Sequence, residues 1–170
     1  SGGGAIADES EDGSQFLVSN CTLDSNFTLQ DGVGRAFYVG DNGDVLVVDT
    51  EFSGNSAQEQ GGAIWHDDGS LEIVRGSFDG NTISGEAPDH GGGAIYCRRG
   101  SLTLRNGIGF TANTANEGFA TGGALHVSNG SELRIDTCTF ADNEASRGGG
   151  AIADASGPNH TTHISESNFT

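Results

Sequence analysis

Carboxylates recur in this sequence at one repeated place, directly after a short Gly-Gly-Ala-Ile-like motif. The acids there are Asp8, Glu9, Asp41, Asp44, Asp67, Asp68 and Asp154. Carboxylate oxygens held a few ångströms apart are the ligands that hard cations such as Ca²⁺ prefer. One interpretation is therefore a calcium site built from Asp41, Asp44, Asp67 and Asp68, with no other cofactor indicated.

A second interpretation of the same acids needs no metal. Arg98 and Arg99 stand at the equivalent place one copy later than Asp67 and Asp68. If successive copies stack, arginines beside aspartates form an ion-pair ladder, and we favour this explanation. The segment 41–44 reads Asp-Asn-Gly-Asp, as in a calcium-binding loop, but it lacks the remaining ligands and the distal Glu.

Acid pairs are also the groups that hydrolyse or cleave polysaccharides. Such chemistry needs a cluster of acids, or a base with neighbouring cations, in a groove that excludes solvent. The chain has only 7 basic residues against 24 acidic ones, and it has no long insertion to wall a groove. We therefore predict that the protein is not an enzyme and keep a polysaccharide lyase or hydrolase as an alternative.

Three aromatic residues follow the motif in consecutive copies, namely Tyr38, Trp65 and Tyr96. Stacked side by side on an outer sheet face, they predict a surface aromatic strip that could contact a sugar or a partner protein. Shielding of the sheet or packing between rods explains the same residues.

N-glycosylation acceptors with the pattern Asn-x-Ser/Thr favour a secreted protein. They begin at Asn20, Asn26, Asn129, Asn159 and Asn168. Asn129 and Asn159 lie in predicted turns and are the better candidates. Asn26 and Asn168 are expected to be engaged in the asparagine series described next.

A repeated sequence motif predicts the secondary-structure elements that position these side chains. The Gly-Gly-Ala-Ile-like motif recurs six times, with its alanines 27 to 31 residues apart. A fixed period of this size marks a stack of supersecondary units. Between the copies lie a short alternating apolar piece and a Phe-x-x-Asn piece, both bounded by Gly, Asn, Asp and Ser, which is a strand signal rather than a helix signal.

Three short strands per copy predict an all-β fold, a right-handed parallel β-helix of about six coils. One internal ladder is predicted from Ile6, Phe37, Ile64, Ile95, Leu125 and Ile152. A second is predicted from Leu23, Phe52, Phe78, Phe110 and Phe140. Stacked amides are predicted from Asn26, Asn55, Asn81, Asn113 and Asn143.

A single repeat domain over residues 1–170 accounts for the chain, with coils starting near residues 2, 32, 61, 91, 122 and 148. Residues 148–156 nearly repeat residues 2–10. We therefore expect a segment of a longer array. Uncapped ends of a β-helix expose strand edges, so the sequence also predicts end-to-end self-association.

Composition limits the partners. Lysine is absent and the net charge is −17, which argues against nucleic acid and anionic membranes. No apolar run is long enough to span a bilayer, so direct membrane insertion is not expected. Cys21 and Cys138 are predicted to lie four coils apart, beyond disulfide reach, and the three thiols are expected to be free and buried.

The pairing of Gly-Gly-Ala-Ile with Phe-x-x-Asn resembles the repeats of the chlamydial polymorphic outer membrane proteins. The matching residues are 61–64 with 78–81, 92–95 with 110–113, and 122–125 with 140–143. This resemblance implies a pectin-lyase-like β-helix, as in autotransported passenger domains that act as surface adhesins.

We accordingly predict a non-catalytic extracellular or cell-surface structural protein that forms fibres and serves adhesion. One alternative is an autotransporter-type adhesin passenger that acts as a discrete rod and binds glycans or a host-surface ligand. The other is the polysaccharide-active enzyme considered above.

Overall fold

The computed structural model describes residues 4–9, 15–27, 36–40, 43–87 and 89–170. In chain order the strands are β1 (Ile6–Asp8), β2 (Gln15–Ser19), β3 (Thr22–Asp24), β4 (Phe37–Val39), β5 (Gly43–Ser53), β6 (Ser56–Ala57), β7 (Ile64–His66), β8 (Gly69–Asp79), β9 (Thr82–Ile83), β10 (Ile95–Arg98), β11 (Ser101–Thr111), β12 (Thr114–Ala115), β13 (Leu125–Ser128), β14 (Glu132–Asp136), β15 (Thr139–Ala141), β16 (Glu144–Ala145), β17 (Ile152–Ala155), β18 (Thr162–Ser165) and β19 (Asn168–Phe169). The part of the chain that the structure describes contains no helix, and hence none that could cross a membrane.

The strands form three parallel sheets that wind into a β-solenoid, which confirms the predicted fold class. Sheet A has the order β1-β4-β7-β10-β13-β17, and its six strands mark six rungs separated by five turns of chain. Sheet B runs β2-β5-β8-β11-β14-β18, with β3 beside β5 and β15 between β11 and β19. Sheet C has the order β6-β9-β12-β16.

Register places the predicted ladder residues on top of one another. In sheet A, Ile6 pairs with Phe37 and Ile95 pairs with both Ile64 and Leu125. The phenylalanines of sheet B stack with ring centroids 4.7 to 4.8 Å apart and interplanar angles of 2 to 6°. Each ladder repeats apolar side chains at the rung spacing. The interior is therefore filled by side chains of similar kind packed on one another in successive rungs.

The sequence predicted one strand from each of three pieces of the repeat, namely the Ala-Ile piece, the alternating piece and the Phe piece. The structure has three sheets, but their strands divide the repeat differently. In the central rungs the alternating piece and the Phe piece are continuous in single eleven-residue strands, β5, β8 and β11. Residues with positive φ bend the first two of these strands, Asp49 (49°) and Arg75 (53°). The bend turns the chain without breaking the ladder of sheet B, so the third sheet comes from the two-residue strands after each ladder asparagine.

The asparagine ladder closes the corner between sheets B and C. The Oδ1 of Asn81 accepts hydrogen bonds from the backbone N–H and Nδ2 of Asn55, at 3.1 and 2.9 Å. Asn113 and Asn143 repeat this pattern one and two rungs later. Each amide also donates to the carbonyl at the phenylalanine position of the preceding rung, as Asn81 does to Phe52 at 3.0 Å.

Asn168 does not continue this ladder. It pairs in register with Thr139, and Phe169 stacks on Phe140 at 4.8 Å. Phe169 therefore occupies the rung position held elsewhere by the ladder phenylalanines. Residues 166–170 (Glu-Ser-Asn-Phe-Thr) resemble residues 24–28 (Asp-Ser-Asn-Phe-Thr) in sequence. The two segments are not equivalent in space, because Asn168 precedes the ladder residue Phe169 whereas Asn26 follows the ladder residue Leu23.

All three cysteines are free. Cys97 and Cys138 are buried, but Cys21 is exposed, so the prediction of three buried thiols is wrong at that position. Cys21 lies in the first rung, which has a neighbouring strand on one side only.

Candidate functional site

The outer face of sheet A carries the residues with the most varied chemistry. Its outward column runs Ala7, Tyr38, Trp65, Tyr96, His126 and Ala153 in register. Tyr38 stacks on Trp65 with centroids 4.9 Å apart and rings 7° from parallel. Tyr96 stacks on His126 at 4.9 Å and 19°. The column thus holds two stacked pairs, and His126 is a member that the sequence analysis missed.

The prediction of an exposed aromatic strip is wrong for two of its three residues. Trp65 is only 6% exposed and Tyr96 only 3%. Gln60 covers one edge of Trp65, whose Nε1 donates to the Gln60 Oε1 at 3.1 Å. Arg98 lies over the same indole, with Cζ 5.4 Å from the ring centroid. Gln60, which precedes β7, and Arg98, at the end of β10, therefore close over the column.

Asp67 forms an ion pair with Arg98, the arginine that covers Trp65. Its two carboxylate oxygens accept hydrogen bonds from Nε and Nη2 of Arg98, both at 2.7 Å, and Arg99 Nη2 adds a third at 2.7 Å. The Asp67 side chain is only 7% exposed. Burial alone would raise the pKa of Asp67, but the hydrogen bonds and charges of Arg98 and Arg99 outweigh it and hold the pKa below its ordinary value.

This geometry contradicts the calcium interpretation at Asp67, because two guanidiniums occupy the oxygens that a cation would need. The Asp68 Oδ1 accepts from the backbone N–H of Gly69 at 2.7 Å, and the Asp44 Oδ1 accepts from the Ser70 hydroxyl at 2.6 Å. Asp41 lies outside the described residues. Across the ranges described, no three His, Cys, Asp or Glu side chains are grouped to hold a metal ion.

A hollow of about 390 Å³ opens beside the second stacked pair. Its polar lining includes Gln60, Asp89, Tyr96, His126, Ser128 and Asn129. Gln60 and Asp89 precede strands of sheet A, whereas Ser128 and Asn129 lie at the opposite strand ends. The hollow therefore crosses the outer face of the sheet between two walls.

The floor of this hollow is held in place by hydrogen bonds. The Tyr96 hydroxyl lies 3.1 Å from the Ser128 Oγ, and the Thr121 Oγ1 lies 2.8 Å from the His126 Nδ1. Burial is the main cause that raises the pKa of Tyr96 and lowers the pKa of His126. At neutral pH the floor is therefore an uncharged phenol beside an uncharged imidazole.

Directly beneath this face, inside the solenoid, lies a histidine–cysteine pair that the sequence analysis did not find. His66 and Cys97 are both fully buried, with the His66 Nδ1 3.2 Å from the Cys97 Sγ. The His66 Nε2 is buried without a hydrogen-bond partner. The sequence does contain a signal for this position. Side chains alternate along a strand, so His66, two residues after the inward Ile64, also points inward.

Burial keeps both members of this pair neutral. It lowers the pKa of His66 to about 4, against the weaker opposing effects of the Asp68 backbone and the charges of Asp67 and Asp68. It raises the pKa of the Cys97 thiol to about 12. A thiol with so high a pKa is a packing group rather than a nucleophile at neutral pH.

We expect this buried imidazole to make the rod sensitive to acid. The pKa of His66 is about 4 when folded and about 6.5 when unfolded. The unfolded chain therefore binds the extra proton, and stability falls as pH drops from about 6.5 towards 4, by roughly 3 kcal/mol at most. His66→Val, which copies Val39 and Val127 in the same inward column, should flatten this dependence.

The measurement is the free energy of unfolding by urea at pH 7, 6, 5 and 4 for both proteins. Comparing the two slopes cancels the other titrating groups, including His126. Parallel curves for the wild type and His66→Val would refute the assignment.

The predicted glycosylation residues lie in different environments. Asn20, Asn129 and Asn159 are exposed, with φ values of 52°, 56° and 68°. Asn168 is also exposed, whereas Asn26 is half-buried and donates to the Asn55 Oδ1. The Ser131 hydroxyl in the Asn129 acceptor sequence is buried and donates to the Ser128 carbonyl at 2.7 Å.

Residues 49–67, 76–98 and 137–154 match the model of the Chlamydia polymorphic membrane protein repeat. Each matched segment runs from a Phe-x-x-Asn piece to the next Gly-Gly-Ala-Ile motif, which confirms the predicted repeat type. Residues 110–113 and 122–125, which also carried the resemblance, lie outside the matched segments. No curated protein and no solved structure matches the chain significantly.

Proposed function

We propose that this chain is a non-catalytic structural part of an extracellular or cell-surface β-solenoid that assembles end to end and serves adhesion. The matched repeats support the surface location, because the family is described as one of polymorphic membrane proteins. The β-solenoid supports the structural role, since identical registers repeat from rung to rung and allow a stack of any length.

The observation that carries the assembly is the constant register from rung to rung. Ile164 and Phe169 continue the inward ladders in register with Ile135 and Phe140, and they are 44% and 46% exposed. Strands with such apolar ladder residues can accept a further parallel strand, from the same chain or from a second copy.

The contacts of the acids considered for catalysis support the non-catalytic part of the proposal. Asp67 is held by two guanidiniums, and Asp44 accepts a hydrogen bond from the Ser70 hydroxyl. A discrete adhesin passenger is the second candidate, favoured by the repeat match itself.

Electron microscopy of the natively purified protein tests the assembly. We expect continuous fibres whose subunits join rung to rung. Discrete rods on a longer polypeptide would overturn end-to-end assembly and leave the adhesin passenger.

Paired variants of the 170-residue chain identify the contact. Phe169→Asp places a charge on the open rung and should abolish concentration-dependent association in sedimentation velocity. Leu46→Asp is the matched control, since Leu46 is 37% exposed on the outward side of sheet B in an inner rung with strands on both sides. Equal association of both variants would contradict a rung-to-rung contact.

A further inference from the structure

We infer that the hollow on the outer face of sheet A is a binding site for a neutral saccharide. Its residues lie on sheet A and in the turns beside that sheet, whereas the open ladder residues Ile164 and Phe169 lie in sheet B. The inference is therefore independent of end-to-end assembly, and each can fail without the other.

The mixture of polar groups favours a polyhydroxylated ligand. The carboxylate of Asp89 can only accept, the amide of Asn129 can donate and accept, and the hydroxyl of Ser128 can do both. Asp89 and Asn129 are exposed and lie on opposite walls. A ligand that bridges these walls needs several hydroxyls, each able to donate and accept, and a sugar ring provides them.

Charge restricts the class of sugar. The hollow is lined by one carboxylate, Asp89, and one guanidinium, Arg98. Arg98 directs its Nε and one Nη to the Asp67 carboxylate at 2.7 Å each. Arg99 shares that carboxylate at 2.7 Å, so the three groups together keep one positive charge, which the Asp89 carboxylate balances. The surroundings of the hollow are therefore close to neutral, and the net charge of −17 on the whole chain repels uronic and sialic acids.

Shape supports the same ligand. The stacked Tyr96 and His126 rings close the bottom of the hollow with only 3% of each residue exposed, so a ligand would contact mainly the polar groups of the two walls. Ala155 lines the far side, where a small side chain leaves room for a ring.

The site is already organised in the free protein. Gln60 is fixed by the Trp65 Nε1 and donates its own Nε2 to the Asp89 carbonyl at 2.9 Å. Tyr96 and His126 are fixed by Ser128 and Thr121. The floor and the Gln60 side of the hollow therefore need no rearrangement on binding, which favours even a small ligand.

Saturation-transfer NMR and calorimetry on the unglycosylated chain test the inference. The probes are the methyl glycosides of glucose, galactose, mannose and N-acetylglucosamine, with methyl glucuronide as the acidic comparison. We expect at least one neutral glycoside to bind and the glucuronide to bind at least tenfold more weakly.

Variants locate the binding. Asp89→Asn removes the charge-assisted acceptor and should weaken binding about tenfold, and Asn129→Gly, which tolerates the positive φ, should weaken it several-fold. Asp142→Asn, an exposed acid at another place on the rod, should change nothing. No saturable binding by any neutral glycoside, equal binding of the glucuronide, or binding unaffected by Asp89→Asn would each overturn the inference.

Discussion

Gly93→Ala is expected to prevent stable folding, with a loss on the order of 4 kcal/mol or more. A Cβ at Gly93 would lie 2.2 Å from the Gly123 carbonyl oxygen and within 2.6 to 2.7 Å of the Thr114 backbone. All of these are backbone atoms, held by hydrogen bonds between rungs, so they cannot move aside as a flexible side chain would. The second glycine of the motif therefore sets the distance between rungs at this corner.

The same contact recurs in neighbouring rungs. A Cβ at Gly62 would lie 2.0 Å from the Gly93 carbonyl oxygen, and one at Gly123 would lie 2.1 Å from that of Gly150. Gly148→Ala is the matched control, because its Cβ would meet nothing within 4 Å. We expect that control to change stability by no more than about 0.5 kcal/mol.

Urea unfolding followed by circular dichroism measures both glycine variants. If Gly93→Ala unfolds with the same midpoint as Gly148→Ala, the close approach of the backbones does not hold in solution.

Asn81→Ala is expected to cost about 3 to 6 kcal/mol, because it leaves several buried groups without partners. The Asn81 amide accepts from the backbone N–H and Nδ2 of Asn55 and donates to the Phe52 carbonyl and the Asn113 Oδ1. Asn81 is fully buried, so water cannot replace these bonds. The cost arises mainly from orphaned backbone groups rather than from the lost side chain itself.

The ladder provides its own control for this second experiment. Asn26 lies in the first rung, is half-buried, and donates one side-chain hydrogen bond to the Asn55 Oδ1. Asn26→Ala should therefore cost only about 1 kcal/mol. The free energy of unfolding in urea measures both, and equal costs would show that the amides act singly rather than as a continuous ladder.

Much of the fold could be predicted because a parallel solenoid places equivalent residues in one column. Ile64, Ile95 and Leu125 share a motif in the sequence and share a column in sheet A. Residues one repeat apart in the sequence therefore contact each other in neighbouring rungs. The ion pair between Asp67 and Arg98 follows from the same rule, since one rung separates them.

Other features depended on contacts that repetition does not encode. The sequence alternation places Trp65 and Tyr96 outward, but whether an outward residue is exposed depends on what crosses over it, here Gln60 and Arg98. The sequence did not show where the strands of sheet C lie, because strands of two residues are too short to show an alternating pattern. Asn168 was misplaced because a short motif can match while lying on the other side of the ladder residue.

The sequence by itself determined the rung, the ladders and the repeat type, because these need only one residue pattern recurring at one period. Only the tertiary structure decided which outward side chains are covered and that polar groups from the turns of several rungs surround one hollow. Those outcomes depend on turns of unequal length and composition, whose paths are set by packing against neighbouring rungs rather than by the repeat.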